Sequence, residues 1–499
     1  MLFNSIEFLF LFLPVTLIGY FLLCQLQKAV WPLIWLLLAS LVFYGWWNPA
    51  YVILLLISIV FNFGFGKLLL HPGSPAGTKK HLLIIGVVFN LGLLGYFKYA
   101  NFFIDTAGLI AGSEFSSLRI VLPLAISFFT FQQVAFLVDA YQAKVKQIDF
   151  LRYCVFVSFF PQLIAGPIVH HTEIFPRLID SARFRFNSSD FSQGLSQFGI
   201  GLFKKVIIAD SLAIFANPIF AESASSVGFS SLDYTVGVIA FGLQIYFDFS
   251  AYSDIAIGLG KMFSINLPVN FESPYKSTSI IDFWRRWHIT LSRFLKDYLY
   301  IPLGGNRRGT FRRYCNLLIT MVLGGLWHGA HWHFVFWGFL HGAFLSINHV
   351  WRHITRNNAD QTWNIFSTVI GGRILTLVAI MLSWIFFRAN STADGMSILM
   401  AIVGMDSLNF SPAYLFSISA SNLPFIFGGL ISDIRILVFI YLAALFMWVL
   451  LLPNCQQIFS GQGRIRWQPN LAWASGIALL LLFSVAGLDQ AAEFIYFQF

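Results

Sequence analysis

The stretch that decides the fold is CNLLITMVLGGLWHGAHWHFVFWGFLHGAFLSIN, residues 315–348. A straight helix of this length would measure about 50 Å at about 1.5 Å per residue. Because this exceeds the roughly 30 Å hydrocarbon core of a membrane, we expect the stretch to bend or break. Glycines surround Trp327 and His328, and irregular backbone is tolerated at membrane depth where protein or water covers it. These glycines are Gly324, Gly325 and Gly329, which predict a break beside His328.

The rest of the chain is also apolar. Of its 499 residues, 58% are hydrophobic and 11% are charged, whereas soluble domains carry about 25% charged residues. Apolar stretches recur at 7–25, 30–47, 50–70, 82–97, 118–138, 153–169, 192–215, 233–262, 315–348, 374–387, 435–452 and 471–487. We expect an all-α polytopic membrane protein, with about ten to thirteen transmembrane helices and interfacial or re-entrant helices. Without a long polar linker, residues 1–499 are expected to form one membrane domain with its core at 118–350.

The charge balance indicates a membrane surface rather than nucleic acid. Lys and Arg number 31 against 22 Asp and Glu, which leaves a net charge of +9. In so apolar a chain this excess is typical of cytoplasmic loops attracted to anionic lipid. The four cysteines contain no CxxC pair and predict neither a disulfide framework nor a zinc site. The first apolar segment lacks a basic start and a small-residue cleavage site, so we expect it to remain as a membrane helix.

Residues 268–314 interrupt the apolar pattern with a basic segment. Nine Lys and Arg residues stand against three acidic ones, which predicts a cytoplasmic location. Trp284, Trp287, His288 and Leu291 repeat at three and four residues, which places them on one helix face, and the basic side chains occupy the other faces. We therefore predict an amphipathic helix at the membrane interface that ends near Pro302.

His328 is the first candidate for chemistry. Counting from Cys315, it lies about 20 Å into the predicted crossing, and an ionisable side chain at that depth indicates function. A neutral imidazole can accept a proton from a hydroxyl that attacks an acyl carbonyl and return it to the departing thiolate. The alternative is a histidine that packs helices and bonds to a neighbouring carbonyl.

His288 is the second candidate, since it shares the apolar face of the basic segment. It could polarise the acyl carbonyl or hold the acceptor hydroxyl, and the alternative is a satisfied core histidine. HGAHWH also places His331 and His333 near His328. On a helix, residues five apart diverge by about 140°, and no third ligand has usable spacing, so we predict no metal site.

The sequence FDFSAYSDIAIG, residues 247–258, forms a polar cluster within an apolar span. Carboxylates at membrane depth need partners or water, so Asp248, Tyr252 and Asp254 are predicted to line a substrate tunnel, together with Trp327. Asp248 and Tyr252 stand four residues apart on one helix face. The alternative for Asp254 is that it marks a helix end.

Several longer segments together resemble the membrane-bound O-acyltransferase family, in particular its bacterial branch of alginate O-acetylation membrane proteins. They are MLFNSIEFLFLFLPVTL, SFFTFQQVAFLVDAY, FPQLIAGPIVHH, QIYFDFSAYSDIAIGLGKMFSINLPVNFESPY, DFWRRWHITLSRFLKDYLYIPLGGNR, GGLWHGAHWHFVFWGFLHG and WIFFRANSTADG. They follow in order over residues 1–395, whereas residues 400–499 carry no usable pattern.

The resemblance implies helices around a central funnel or tunnel and transfer of acyl groups to hydroxyls. The invariant histidine of the family's WHG motif falls on His328. A position that is Asn in many eukaryotic members and His in the bacterial branch falls on His288. The resemblance also implies a separate periplasmic or extracellular acetyltransferase partner.

We therefore predict a bacterial inner-membrane enzyme that moves acetyl from a cytoplasmic donor, acetyl-CoA, for O-acetylation of an exported or cell-envelope polysaccharide such as alginate. Acetyl-CoA is a substrate in this prediction, and no bound cofactor is expected. Membrane lipid and the polysaccharide are the other expected partners. The alternatives are D-alanyl transfer from a carrier protein to a cell-wall polymer, and a transporter or channel with buried His and Asp residues.

Overall fold

The computed structural model describes residues 1–499 except 27, 114, 147, 165, 180–184, 222–227, 358–368, 421–432, 462, 489–493 and 496–499. Within the described ranges the regular elements are helices and no strand occurs, so the predicted all-α class is confirmed.

The helices alternate with short connections along the chain. Up to residue 262 they are Phe8–Phe12, Leu13–Cys24, Val30–Gly45, Ala50–Leu70, Ala76–Leu94, Gly95–Tyr99, Ala100–Ala111, Ile126–Tyr141, Phe150–Ser158, Phe160–Leu163, His171–Ile179, Ser188–Phe203, Lys204–Ala209, Asp210–Phe220 and Ser231–Met262. Beyond it they are Pro274–Lys276, Ile280–Arg286, Ile289–Leu295, Lys296–Tyr300, Gly309–His328, Trp332–Asn357, Val369–Arg388, Thr392–Gly404, Pro412–Ala420, Ile434–Leu451, Cys455–Phe459 and Leu471–Ala486.

The helices group into two compact units. The first comprises Met1–Phe198 and Ile255–Pro268, and the second comprises Gly199–Asp254 and Val269–Phe499. Both candidate histidines and the tunnel candidates Asp248, Tyr252, Asp254 and Trp327 belong to the second unit. The single membrane domain with its core at 118–350 stays a prediction.

Among the described residues, four helices are long and apolar enough to cross a membrane: Ala50–Leu70, Ala76–Ala111, Val369–Arg388 and Ile434–Leu451. Shorter apolar helices lie at Phe8–Cys24, Val30–Gly45, Thr392–Gly404 and Leu471–Ala486. Apolar side chains on these helices face outward, such as Val88 at 62% exposure, which suits contact with lipid. The chain is a polytopic membrane protein, and its number of crossings stays a prediction.

The predicted amphipathic helix of the basic segment is interrupted, so that part of the prediction is wrong. One helix ends at Arg286, and the next starts at Ile289. Between them Trp287 is extended and His288 has a positive φ of 44°. The predicted apolar face is nevertheless buried, and the helical region ends at Tyr300, near Pro302 as expected. Tertiary contacts of His288, described below, outweigh the helical periodicity.

The predicted break in residues 315–348 is confirmed. Helix Gly309–His328 ends at His328, Gly329 is extended, and the next helix starts at Trp332. The two helices pack closely because glycines face the partner backbone. A Cβ at Gly325 would meet the carbonyl oxygen of Phe334, and one at Gly338 would meet that of Met321.

Helix Ser231–Met262 carries the polar cluster in its interior. Asp254 lies eight residues before the last residue of this helix. The interpretation of Asp254 as a helix end is therefore wrong, because the helix continues through it into residues that are almost all buried.

Candidate active site

His328 lies at the end of a helix in an aromatic enclosure. Its side chain is buried, with 5% of the residue exposed. The ring centroids of Trp327, Trp337 and Phe387 lie 5.0, 5.1 and 5.4 Å from that of His328. These side chains come from three helices or their ends, so the WHG sequence alone does not build the enclosure.

His288 is completely buried and is held by Asn270. Its Nδ1 lies 3.2 Å from Oδ1 of Asn270, and the same oxygen accepts from the backbone N–H and the hydroxyl of Thr290 at 3.2 and 2.9 Å. The Asn270 carbonyl oxygen accepts from the Ile289 N–H at 3.0 Å. These bonds stabilise the turn at His288 that interrupts the helix.

The same bonds define the tautomer of His288. The backbone N–H of Thr290 fixes the amide oxygen of Asn270 as an acceptor, so Nδ1 of His288 must carry the proton that it donates. Nε2 of the neutral ring is then an acceptor. Burial lowers the pKa of His288 to about 3, which keeps the ring neutral near pH 7. His288 can therefore accept a hydrogen bond from a hydroxyl, whereas it cannot donate one to an acyl carbonyl.

The two candidate histidines lie near each other although they are 40 positions apart in the chain. Their ring centroids are separated by 6.5 Å, and Trp327 lies beside both, at 5.0 Å from His328 and 6.2 Å from His288. The structure thus brings His328, His288 and Trp327 together as one site. Their chemical roles stay predictions.

A basic cavity of about 630 Å³ lies near this site, and its lining includes neither His288 nor His328. Its lining includes four cationic residues and no Asp or Glu; the cations are Arg285, Lys296, Arg307 and Arg313. Burial raises the pKa of the Tyr300 phenol in the same wall. Trp284, also in the wall, packs on Trp337 at 5.9 Å, and Trp337 contacts His328.

A smaller cavity, of about 60 Å³, lies beside Asn270. Ser250, Ser253 and Asp254 line it, as does Lys204. Asp254 accepts from Lys204 Nζ at 2.8 Å and from the Gln456 amide at 3.3 Å. Asn270 lines this cavity and also holds His288. The histidine pair is therefore connected to the smaller cavity through Asn270 and to the basic cavity through Trp337 and Trp284.

Asp248 and Tyr252 line neither of these two cavities. Asp248 pairs with Lys205 at 2.9 Å and accepts from the backbone N–H of Ile495 at 2.9 Å. The ring of Tyr252 lies 4.0 Å from that of Phe494. Their predicted place in a tunnel stays a prediction. The end of the chain, in which the sequence showed no usable pattern, contributes to the surroundings of both residues.

Sequence reasoning missed Asn270 and a set of buried charges. Lys205 is 1% exposed and pairs with Asp210 as well as Asp248, and Lys204 pairs with Asp254. Two adjacent lysines within the apolar stretch 192–215 were a usable signal, since charges at membrane depth are costly and indicate function. Asn270 carried no such signal.

His331 and His333, the next two histidines of the motif, have surroundings of their own. His331 is exposed, and Nδ1 of His333 lies 3.1 Å from the Phe386 carbonyl oxygen. Over the described ranges, one group of His, Cys, Asp and Glu side chains is spaced closely enough to hold a metal ion. It consists of Asp139, His170 and His171.

The chain matches the model of the membrane-bound O-acyltransferase family over residues 82–390. It is 44% identical to a peptidoglycan O-acetyltransferase of Helicobacter pylori over 435 residues, which cover 82% of this chain and 81% of that protein. It is 41% identical to a probable alginate O-acetylase of Pseudomonas aeruginosa over 397 residues, or 78% of this chain and 72% of that protein. A teichoic acid D-alanyltransferase of Streptococcus thermophilus is 28% identical over 46% of this chain and 57% of its own length.

The helical fold and the similarity to these acyltransferases identify a polytopic membrane enzyme that transfers acyl groups. The chain belongs to the membrane-bound O-acyltransferase family. The family expectation drawn from the sequence motifs and the expectation of an acyltransferase are therefore confirmed.

Proposed function

We propose that this protein transfers acetyl from acetyl-CoA, entering from the cytoplasm, for O-acetylation of a cell-envelope polysaccharide. The observation that carries the proposal is the pair of buried histidines beside a basic cavity. The relatives that cover most of the chain are named for acetylation of peptidoglycan or alginate. This favours a glycan hydroxyl as the final acceptor.

The basic cavity supports the choice of donor. Coenzyme A carries phosphates, which pair with Arg and Lys side chains. Four such residues line the cavity without a competing carboxylate. Met321 also lines it and lies seven residues before His328 on the same helix, about 10 Å along the axis. A donor with its phosphates among the cations could extend its thioester toward His328.

The histidine pair supports the chemistry. The acceptor oxygen bonds to the acyl carbon, the carbon–sulfur bond breaks, and one proton moves from the hydroxyl to the departing thiolate by way of imidazole. His328 is proposed as the base that carries this proton. His288, with Nε2 as an acceptor, is proposed to hold the acceptor hydroxyl, so the tautomer favours this role over polarising the carbonyl.

We further propose that the enzyme lies in a bacterial inner membrane and passes acetyl to a separate periplasmic or extracellular partner. The basic segment 268–314 supports a cytoplasmic donor side. The smaller cavity is lined by Asn270, the residue that holds His288, and is the candidate for a second approach to the histidine pair. D-alanyl transfer is less favoured, because the relatives named for it match about half of this chain.

Replacing His328 by Ala tests the proposal. The expected result is a loss of acetyl transfer by about 10² to 10⁴-fold, because general acid–base catalysis is worth that much. His331→Ala is the matched control, since His331 is exposed in the same motif. Acetyl on the exported polymer and thioester turnover by purified protein are both measured, with membrane expression confirmed. Undiminished transfer by the His328 variant would remove this histidine from the mechanism.

A further inference from the structure

We propose that Asp139, His170 and His171, which belong to the first compact unit, form a binding site for a divalent transition-metal ion such as Zn²⁺. Asp139 lies near the end of helix Ile126–Tyr141, and His171 starts helix His171–Ile179. Each side chain offers one ligand atom, and these atoms all lie within 4.8 Å of one another.

The distances suit a shared ion after a small adjustment. His170 Nε2 is in direct contact with Asp139 Oδ2, and His171 Nδ1 lies 3.5 Å from the same oxygen. Zn²⁺ binds His nitrogen and carboxylate oxygen at about 2.0–2.2 Å, which places tetrahedral ligands about 3.4 Å apart. Two imidazoles and one carboxylate are a ligand set that zinc takes with one position left for water.

The burial of His171 supports a metal ion independently of the distances between the ligand atoms. It is 4% exposed, and neither ring nitrogen has a hydrogen-bond partner. Its ring packs beside Phe136 and Phe175, at centroid distances of 6.2 and 5.9 Å, and its Nδ1 lies 3.5 Å from Asp139 Oδ2. A buried ring nitrogen without a hydrogen bond is costly. A metal ion bound at Nδ1 would satisfy that nitrogen and would leave the proton of the ring on Nε2.

The neighbours allow an ion to enter and be held. The His170 side chain is 23% exposed, so the cluster is accessible from that side. Lys144 Nζ lies 3.4 Å from Asp139 Oδ1, and its side chain is 59% exposed and able to leave. His170 Nδ1 lies 2.6 Å from the Thr172 hydroxyl. With Nε2 on the metal ion, Nδ1 would carry the ring proton and donate it to this hydroxyl, the kind of second bond by which metal-binding histidines are oriented.

The test measures Zn²⁺ binding to the purified full-length protein after chelator treatment. We expect one Zn²⁺ per chain, a rise in melting temperature on Zn²⁺ addition, and visible absorption when Co²⁺ replaces it. Asp139→Asn and His171→Phe should each lower the affinity at least 10-fold, and Thr172→Val should lower it about 10- to 100-fold. His81→Gln, which changes an exposed histidine outside the cluster, should bind like the wild type.

His171→Phe also separates the proposal from a purely structural role. Phe fills the same aromatic surroundings without buried nitrogens, so a packing histidine would tolerate it while a metal ligand would not. Should that variant fail to fold, Asp139→Asn and Thr172→Val still decide the result. The proposal is overturned if the wild type binds no more Zn²⁺ than these variants, or if His81→Gln reduces binding as much as they do.

Discussion

A hydrogen-bond network around one amide defines the chemistry available to His288. The Asn270 side chain accepts from Thr290 and from His288, and its NH2 group donates to Ser253 at 3.3 Å. The backbone N–H of Thr290 can only donate, so the atom of the Asn270 amide that it contacts must be the oxygen. All of these bonds are consistent with that one orientation of the amide. Asn270 is thus a positioning residue that acts through His288.

Replacing Asn270 by Leu tests this role. Without the acceptor at Nδ1, the ring loses its orientation and tautomer, and kcat should fall by about 100-fold or more. Asn270→Asp keeps an acceptor and should recover most of the activity. Its carboxylate raises the pKa of His288, so the acidic limb of the pH–rate profile should move to higher pH.

The melting temperatures of both variants serve as the control for folding. A Leu variant that melts as the wild type does and keeps its kcat would show that Asn270 does not position the ring. An Asp variant whose pH profile is unmoved would show that His288 does not titrate in the rate-determining step.

At the scale of the helices, close packing presents His328 to the site. Helices Gly309–His328 and Trp332–Asn357 approach each other at Gly325 and Gly338, where backbone carbonyls of the partner occupy the place of a Cβ. Glycine is therefore needed there for space rather than for conformational freedom. The turn between the two helices leaves His328 at a helix end, beside Trp337 of the second helix.

Replacing Gly338 by Ala should force these helices apart. We expect a loss of about 1–3 kcal/mol of stability from overpacking, seen as a lower melting temperature in detergent. Acetyl transfer should fall with it, because His328 moves relative to Trp337. Gly476→Ala is the control, since Gly476 also lies in a helix but has nothing within 4 Å of the added Cβ. Equal melting temperatures for the two variants would contradict this account.

At the scale of the whole molecule, the basic cavity connects charge to chemistry. Three of its cations come from the segment 285–307, and the fourth, Arg313, lies near the start of helix Gly309–His328. The fold therefore brings cations from different elements into the lining of one cavity. A contact through Trp284 and Trp337 leads from this wall to His328. The cavity volume lies within the usual range for small-molecule sites, about 300–1,000 Å³.

The double variant Arg307→Ala with Arg313→Ala tests whether this cavity binds the donor. Each lost charge-assisted bond weakens binding, so KM for acetyl-CoA should rise by about 10- to 100-fold while kcat changes little. The salt dependence of KM should also weaken. Arg464→Ala, which removes an exposed arginine outside the cavity, should leave KM unchanged. An unchanged KM in the double variant would place the donor elsewhere.

Much of this protein can be read directly from its sequence. The length and composition of the apolar stretches indicate a helical membrane protein, because lipid offers the backbone no other partners. The glycines around Trp327 and His328 predicted the helix break, since their positions matched the excess length of the stretch. The motifs indicated the family, and the apolar face of the basic segment predicted burial of His288.

Only the tertiary structure decided how these parts meet. Periodicity reports the face on which a residue lies, so it could not show that Asn270 would break the helix at His288. Nor could it show that Asp254 pairs with Lys204 inside a long helix, since partners 50 positions apart leave no local pattern. The distance between His288 and His328 likewise depends on how separate helices pack. The sequence therefore determined that the chain lies in a membrane, where its helices form and which residues are candidates for chemistry. The packing of residues that are far apart in the chain determined how these candidates form a site.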